Sequence, residues 1–552
     1  MSQSSTTRED IVTGTTAQLL VRSLVEAGVS DIFALPGIQN DDLFDAFYKT
    51  PDLRVIHTRH EQGAAYMAAG YGMATGRPGI YAVVPGPGFL NTTAALSTAF
   101  GCCAPVLALA GQIPSAFIGR GVGMLHEIPD QMSVMRQFTK WASRVRAPSE
   151  APALMAEALR QVGTAPFRPV GLECAMDVWG RHGTALRPPV PADERQAIDE
   201  DAVLAAAKLL GQAKRPLIIV GAGALDASEE VAALAEMLQA PVGAHRMGRG
   251  IVSCRNPLCV DPVAAHLLWG DADVVLAIGT RLQMQLMQWG TDSDLKIVRI
   301  DADPEQIDRI AQPAVGIVGD AAPVLRALLS KLPAHNILRS RMDDIEEARG
   351  RAWQRLSTLE PQRAYLNAIR AELPDDGIFV DELTQLGYAS RALFPIYHPR
   401  TFLSPGYQGT LGWGTPTALG AQVAKPRTKV VSVIGDGGFL FNAQELATAV
   451  QHQIPMVTVL ANDNAFGNVR RIQDDQYDGR RIASDLKNPD FLKLTESFGA
   501  AAFRAKTPDE LRTALKQAFD QSGPSVIEVP VGAMPDPWKM LRYKSSRPAK
   551  GL

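Results

Sequence analysis

Five cysteines in 552 residues, at positions 102, 103, 174, 254 and 259, are too few and too irregularly spaced for a disulfide framework or a zinc site. An odd, sparse set fits free thiols in a reducing cytoplasm. Cys102 and Cys103 stand in an apolar stretch and read as packing. Long apolar runs are also missing: none reaches the roughly 18 residues that a membrane span needs. Neither sign of charge dominates. With 55 basic and 58 acidic side chains the net charge is −3, which leaves no electrostatic footprint for nucleic acid or for an anionic membrane. The chain opens without a positive n-region or an apolar h-region, and residues 1–10 read as a polar tail. What is present is ordinary: 46% apolar and 20% charged residues. The length suffices for about three or four domains at roughly 100–200 residues each.

Short apolar runs alternate with helix-like stretches in three successive sets. Strands are predicted over 29–35, 53–59, 79–85, 105–111 and 169–176, then 216–223, 241–246, 273–279, 296–301 and 315–320. A third set is predicted over 377–383, 401–406, 429–436, 455–463 and 524–530. Many are rich in Val and Ile and do not alternate with polar residues, as strands buried on both faces should read. Strands separated by helices imply βαβ units, so the expected fold is α/β: three consecutive doubly wound parallel-sheet domains. Their limits are read as 11–186, 197–335 and 361–535, with a C-terminal tail over 536–552. The proline-rich, polar run RPPVPADE (187–194) reads as a linker, and the charged stretch 339–363 as a helical connector.

Two runs carry chemistry. VVSVIGDGG (430–438) is a buried strand ending in a glycine turn, and 439–451 reads as a helix after it. A helix N-terminus behind a glycine turn presents unpaired N–H groups and suits phosphate. Asp436 would repel phosphate unless a hard cation lies between them, and Mg²⁺ accepts that combination of carboxylate and phosphate oxygens. A second ligand is expected at the end of the neighbouring strand, where ANDNAFG (461–467) places Asp463 27 positions after Asp436. The other run, HEQGAAYMAAG (60–70), follows a strand and opens a helix. A glutamate in a first helical turn is favoured by the helix dipole, so Glu61 reads on its own as an ordinary N-terminal charge.

The pair GDGG and NDN (462–464), continued by FNAQELATAV, resembles the thiamine-diphosphate (ThDP) enzymes of the acetohydroxyacid synthase and benzoylformate decarboxylase superfamily. The resemblance implies ThDP and Mg²⁺ as cofactors, with metal ligands Asp436, Asp463 and the carbonyl of Ala465. Asp463 stands where the family usually has Asn. Gly437 and Gly438 would bring N–H groups to the diphosphate, with Asn464, Phe466 and Gly467 beside it and Thr384 as a further phosphate contact. The stretch YQGTLGWG (407–414) resembles the cofactor cradle, with Leu411 as the wedge under the bent cofactor and the Gly409 carbonyl as acceptor of its 4′-amine. Glu61 would activate the cofactor through the aminopyrimidine N1′, giving a C2 ylide and later an enamine. In the family the pyrimidine-binding domain of one subunit meets the diphosphate-binding domain of another. The expected partners are therefore a second copy, as homodimer or homotetramer, and a small 2-oxo acid.

For the substrate pocket the resemblance nominates Ile38, Gln39 and Asn40 in LPGIQN, Phe89 in PGPGFLN, His126 and Glu127, and Asn468 and Ile472. Pyruvate decarboxylases carry Asp, and benzoylformate decarboxylases Ser, where this chain has Ile38. Ile472 stands where acetohydroxyacid synthases carry a tryptophan. The loop GRGVGMLHEIPDQ (119–131) resembles the 5-guanidino-2-oxopentanoate decarboxylase-like branch, and His126 is a candidate proton donor. The middle domain keeps GAG (221–223) and IGTR (278–281) of a pattern that holds FAD in some members, so FAD is possible but less expected. The activity implied is decarboxylation or carboligation of 2-oxo acids. The alternatives are a C–C lyase, such as a hydroxyacyl-CoA lyase or diketone hydrolase, and a non-catalytic ThDP-binding regulatory relative.

Overall fold

A computed structural model of the chain describes residues 11–188, 197–337 and 340–547. The opening tail 1–10 and most of the expected linker, 189–194, lie outside the described residues. Three six-stranded sheets, every pairing parallel, follow one another. The first runs in space Arg54–His57, Asp31–Ala34, Gly79–Val83, Val106–Gln112, Val170–Ala175, Trp141–Val145. The second runs Cys259–Val260, Val242–Ala244, Pro216–Val220, Val274–Ile278, Lys296–Asp301, Val315–Val318. The third runs Phe402–Leu403, Ile378–Asp381, Val430–Gly435, Val457–Asn462, Ser525–Pro530, Ala501–Arg504. Every strand read from the sequence is present. The central ones are buried along nearly their whole length, which is why they read as continuous apolar runs.

Three edge strands, Trp141–Val145, Cys259–Val260 and Ala501–Arg504, were not foreseen. The first and last are mostly half-buried and the second is only two residues long, so none shows a continuous apolar run. Nor was the antiparallel pair Ile11–Thr15 and His182–Leu186, whose partners are separated by the whole first domain. The charged connector forms a helix, Met342–Leu356. The helix expected over 439–451 is corrected. A short helix Asp436–Phe439 is formed by the glycine turn itself, and a second helix spans Glu445–Gln451. Between them Asn442 turns inward, its Nδ2 donating to the Gly412 carbonyl at 2.7 Å.

The first and third domains meet across two helices, α1 (Glu61–Thr75) and α2 (Gly414–Ala424). Both are buried almost all round, so neither shows an amphipathic stripe in the sequence. Their approach is set by glycine. A Cβ at Gly70 would lie 2.0 Å from the Thr417 carbonyl oxygen, and one at Gly420 would lie 1.9 Å from that of Met67. The segment after the last strand crosses to the central domain. There Tyr543 stacks on His266 at 4.4 Å, and Arg547 bonds Asp292 at 2.7 Å and the Trp269 carbonyl at 2.9 Å. Among the described residues no helix is long and apolar enough to cross a membrane.

Candidate functional site

Parallel register turns a sequence interval into a contact. Gly435 pairs with Ala461, so the turn that begins at Asp436 lies beside the one that carries Asp463. Asp436 is the first residue of the short helix Asp436–Phe439 and is 1% exposed. Its Oδ2 accepts from Asn488 Nδ2 at 2.6 Å, and the same amide reaches Asn462 Oδ1 at 3.1 Å and Asn464 Oδ1 at 3.3 Å. Asp463 faces Asp436. Burial, and then the neighbouring Asp436 charge, push the Asp463 carboxyl up to about 6, against a smaller pull from Arg470 at 3.8 Å. Two carboxyls crowded together with one distant cation are a set that a divalent cation would relieve. Among the described residues no group of three or more His, Cys, Asp or Glu is placed to hold a metal. A cation here would take the two carboxylates, a backbone carbonyl and ligand oxygens, the mixed set that Mg²⁺ favours.

These turns open on a cavity of about 300 Å³ in the third domain. Asp436 and Asp463 line it together with Thr384, Gly409, Leu411, Gly437, Gly438, Ala465, Phe466, Gly467 and Asn468. Glycine is needed where the walls are tightest. A Cβ at Gly437 would lie 2.6 Å from the Phe466 ring, and one at Gly438 would lie 2.0 Å from Glu382 Oε1. Thr384 caps the helix Gln385–Leu393, its Oγ1 accepting from Leu386 N at 3.1 Å. The cradle loop turns through Gly409 and Gly412, both at positive φ, and Glu382 holds it by accepting from Gly412 N at 3.0 Å and from Gly414 N. Glu382 is fully buried, and burial pushes its carboxyl up to about 8. Asn464 does not line the cavity; it sits behind it at positive φ, its carbonyl accepting from Leu486 N at 2.8 Å. Tyr388, Val531 and Met534 line the cavity and were not foreseen.

Glu61 stands elsewhere. It opens α1 behind the N-cap residue His60, whose Nδ1 accepts from Gln62 N at 3.1 Å. Its Oε2 accepts from Asn91 Nδ2 at 2.9 Å, at the end of the helix Pro87–Asn91. No residue of the first domain lines the third-domain cavity. Within one chain the two halves of the expected site are therefore apart.

Around Glu61 three loops converge. Ile38 is 59% exposed at their rim. Gln39 donates to the Leu125 carbonyl at 3.3 Å, and fully buried Asn40 donates to that of Val83 at 2.8 Å. A Cβ at Gly86 would lie 2.3 Å from the His126 carbonyl oxygen, so those two loops touch. His126 is half-buried at φ 68°, a strained conformation for a non-glycine residue, and its Nδ1 has no hydrogen-bond partner. Glu127 accepts from Gly121 N, Gly123 N and Met124 N at 3.0, 2.7 and 2.9 Å, which holds its carboxyl below the usual range. It closes its own loop. Gln131, which the sequence did not single out, fastens the group. It accepts from Gly86 N at 2.9 Å and donates to the Gly111 carbonyl at 2.8 Å and to buried Glu173 at 3.0 Å.

One expectation for the pocket needs correction. Phe89 is fully buried in the first-domain core, so it stiffens the 86–91 turn from behind and offers no surface to a ligand. Ile472 lies on the helix Gly467–Gln476 away from the single-chain cavity, whereas Asn468 on the same helix lines it. In the central domain the turns at Gly221 and Gly279 close on each other, with Gly223 N donating to the Gly279 carbonyl at 3.1 Å. Arg281 there donates to the Gly101 carbonyl at 3.2 Å and lies over the Tyr407 ring.

Comparison with known proteins is consistent along the chain. Residues 14–134 match the N-terminal TPP binding domain of thiamine pyrophosphate enzymes, 203–328 their central domain, and 383–529 their C-terminal TPP binding domain. A protein of Pseudomonas aeruginosa named "Probable 2-ketoarginine decarboxylase AruI" is 35% identical over 93% of this chain and 94% of its own length. A "Probable acetolactate synthase large subunit" of Methanocaldococcus jannaschii is 33% identical over 94% and 93%. The acetolactate synthase isozyme 3 large subunit of Escherichia coli is 29% identical over 92% of each chain.

Proposed function

This chain belongs to the thiamine pyrophosphate enzyme family, and from that premise we propose that it is a Mg²⁺-dependent decarboxylase or carboligase of 2-oxo acids, working as a homo-oligomer in the cytoplasm. The observation that carries the reading is the paired Asp436 and Asp463 at the wall of a cavity bounded by glycine turns. When bound, ThDP supplies a carbon nucleophile and an electron sink for cleaving the bond next to a carbonyl. The chain's own residues do the rest. Asp436, Asp463 and the Ala465 carbonyl hold the cation, and Gly437 and Gly438 keep the wall thin enough for a diphosphate to approach the backbone. Leu411 and the Gly409 carbonyl, both on the cavity wall, would seat the cofactor and accept from its amine. Glu61 holds a proton at the aminopyrimidine N1′. His126, with an unpartnered ring nitrogen, donates a proton to the reacting carbon, and Gln39 orients the substrate.

The separation of Glu61 from the cavity supports a site completed by a second copy, with α1 of one chain facing the cavity of the other. FAD is the less favoured cofactor in this proposal: at the central strand ends Arg281 donates to the Gly101 carbonyl and lies over Tyr407. Purified holoenzyme is expected to show no flavin absorbance. The domain limits 11–186, 197–335 and 361–535 belong to the same proposal.

The test is apo-enzyme reconstituted with ThDP and Mg²⁺ and assayed for CO₂ release across a panel of 2-oxo acids, guanidino-, aryl- and short alkyl-substituted. CO₂ release with at least one acid is expected. No release with any acid, together with cleavage of an acyl-CoA or a diketone, would replace this reading with a C–C lyase.

A further inference from the structure

Glu445 opens the helix Glu445–Gln451 of the third domain and is fully buried, and among the described residues no Lys or Arg makes a close ion pair with it, the Arg59 charge acting only from farther off. Burying a carboxyl without a cation costs stability, so its place needs a reason. Its partners supply one. Oε1 accepts from His60 N at 2.9 Å and from Arg59 N at 3.2 Å. Oε2 accepts from Arg59 N at 3.2 Å and from Thr448 Oγ1 at 2.7 Å. Arg59 and His60 are the two residues before Glu61, lying between the strand Arg54–His57 and α1. Their N–H groups have no place in either ladder, and the carboxyl takes both.

The fit extends into the first turn of α1. A Cβ at Gly63 would lie 2.5 Å from Glu445 Oε1 and 2.7 Å from Cδ. The glycine two places after Glu61 is thus the space in which this carboxyl lies. Asn442, three residues before Glu445, adds a second tie, its Nδ2 donating to Gln62 Oε1 at 3.1 Å. The third domain therefore grips its own chain's α1 on both sides of Glu61, while Asn91 holds the carboxylate itself.

We propose that Glu445 is a positioning residue for Glu61: it fixes the first turn of α1 by geometry, through the reach of its carboxyl to the Arg59 and His60 N–H groups rather than through its charge. The proposal rests on the reading of Glu61 given above. Two conservative variants separate reach from charge. Glu445→Asp keeps the charge and withdraws the carboxyl by one methylene; Glu445→Gln keeps the reach and an oxygen acceptor and removes the charge.

Full-length enzyme carrying each variant, reconstituted with Mg²⁺ and ThDP, is measured in four ways. These are kcat and KM for the best 2-oxo acid, deuterium exchange at C2 of bound ThDP, ThDP affinity by tryptophan fluorescence, and thermal melting of the apo-protein. For Glu445→Asp, kcat and C2 exchange should fall about tenfold, a fraction of the roughly hundredfold that a 1 Å misplacement of a catalytic group can cost. KM and ThDP affinity should stay within about twofold, which a merely structural loss would not produce. Glu445→Gln should restore kcat and exchange to near wild type. Wild-type rates in Glu445→Asp, or Glu445→Gln as slow as Glu445→Asp, would overturn the proposal. The underlying reading fails by a different sign: wild-type enzyme that does not accelerate C2 exchange, or Glu61→Gln that exchanges as fast as wild type.

Discussion

The two halves of the site are built differently. The third-domain half is made from consecutive strand ends of one parallel sheet: Asp436 and Asp463 leave neighbouring strands, and the cavity lies at the end they share. The first-domain half is one helix N-terminus whose setting comes from afar. Asn91, Glu445 and Asn442 reach Glu61 and its neighbours from other elements, the last two from another domain. The third-domain half could be complete in one chain, while Glu61 contributes nothing to the lining of that cavity and must be brought to one. A parallel sheet brings its carboxyl ends together as a matter of topology. A helix N-terminus is only as well placed as what holds it.

The sharpest break between the halves is chemical. Glu61→Gln should lower kcat by about 10²–10⁴-fold, the usual worth of a positioned proton-transfer group, with melting temperature and ThDP affinity little changed. Asp436→Ala should instead weaken Mg²⁺-dependent ThDP binding by at least about 10–100-fold, read by fluorescence titration. Unchanged retention of both metal and cofactor through dialysis would remove Asp436 as the anchor. Mixing the two inactive variants tests the division directly. If a symmetric dimer builds each site from both chains, random exchange of subunits should restore about a quarter of wild-type activity. If each chain carries a whole site, nothing is restored.

A smaller effect checks the joint between the halves. Gly70→Ala would drive a Cβ against the Thr417 carbonyl and should cost up to about 3 kcal/mol, seen as a lower denaturation midpoint before any loss of cofactor chemistry. The smallest is a slope with pH. Burial raises Glu382 to about 8 and Glu445 to about 7 from an ordinary 4.5. In the folded state these groups hold protons that the unfolded chain has released. Their contribution to stability is therefore present below about pH 4.5 and is lost as pH rises towards 7 and 8. Apo-enzyme melting should decline over that window, and Glu382→Gln should flatten the decline. An unchanged slope would show that Glu382 titrates as an ordinary carboxylate.

How much of this was legible follows from the same division. The central strands among the fifteen expected were legible because a strand covered on both faces must be apolar at every position. Three edge strands were not: Trp141–Val145 and Ala501–Arg504 keep a mixed pattern, and Cys259–Val260 is too short to show one. The Asp436–Asp463 pairing was legible as an interval because adjacent parallel strands convert interval into register. The roles of Asn488, Gln131 and Glu445 carry no local signal. A single Asn, Gln or Glu, even inside a matched stretch as Glu445 and Gln131 are, does not reveal its partners until the chain closes on it, and Gly63 shows its purpose only beside the Glu445 carboxyl. Phe89 erred in the opposite direction: its motif points to a pocket, whereas packing draws an aromatic ring at that turn into the core.

By itself the sequence determined the three sheets, the glycine turn with its two aspartates and the helix that starts at Glu61, since each depends on residues a few places apart or on strands that repeat one rule. Tertiary structure alone decided that Glu61 and the cavity stand apart in the chain, that His126 is strained with a free ring nitrogen, and that a buried carboxyl from the third domain steadies the helix of the first. Those outcomes depend on contacts between residues tens to hundreds of positions apart, whose geometry is set only when the layers pack.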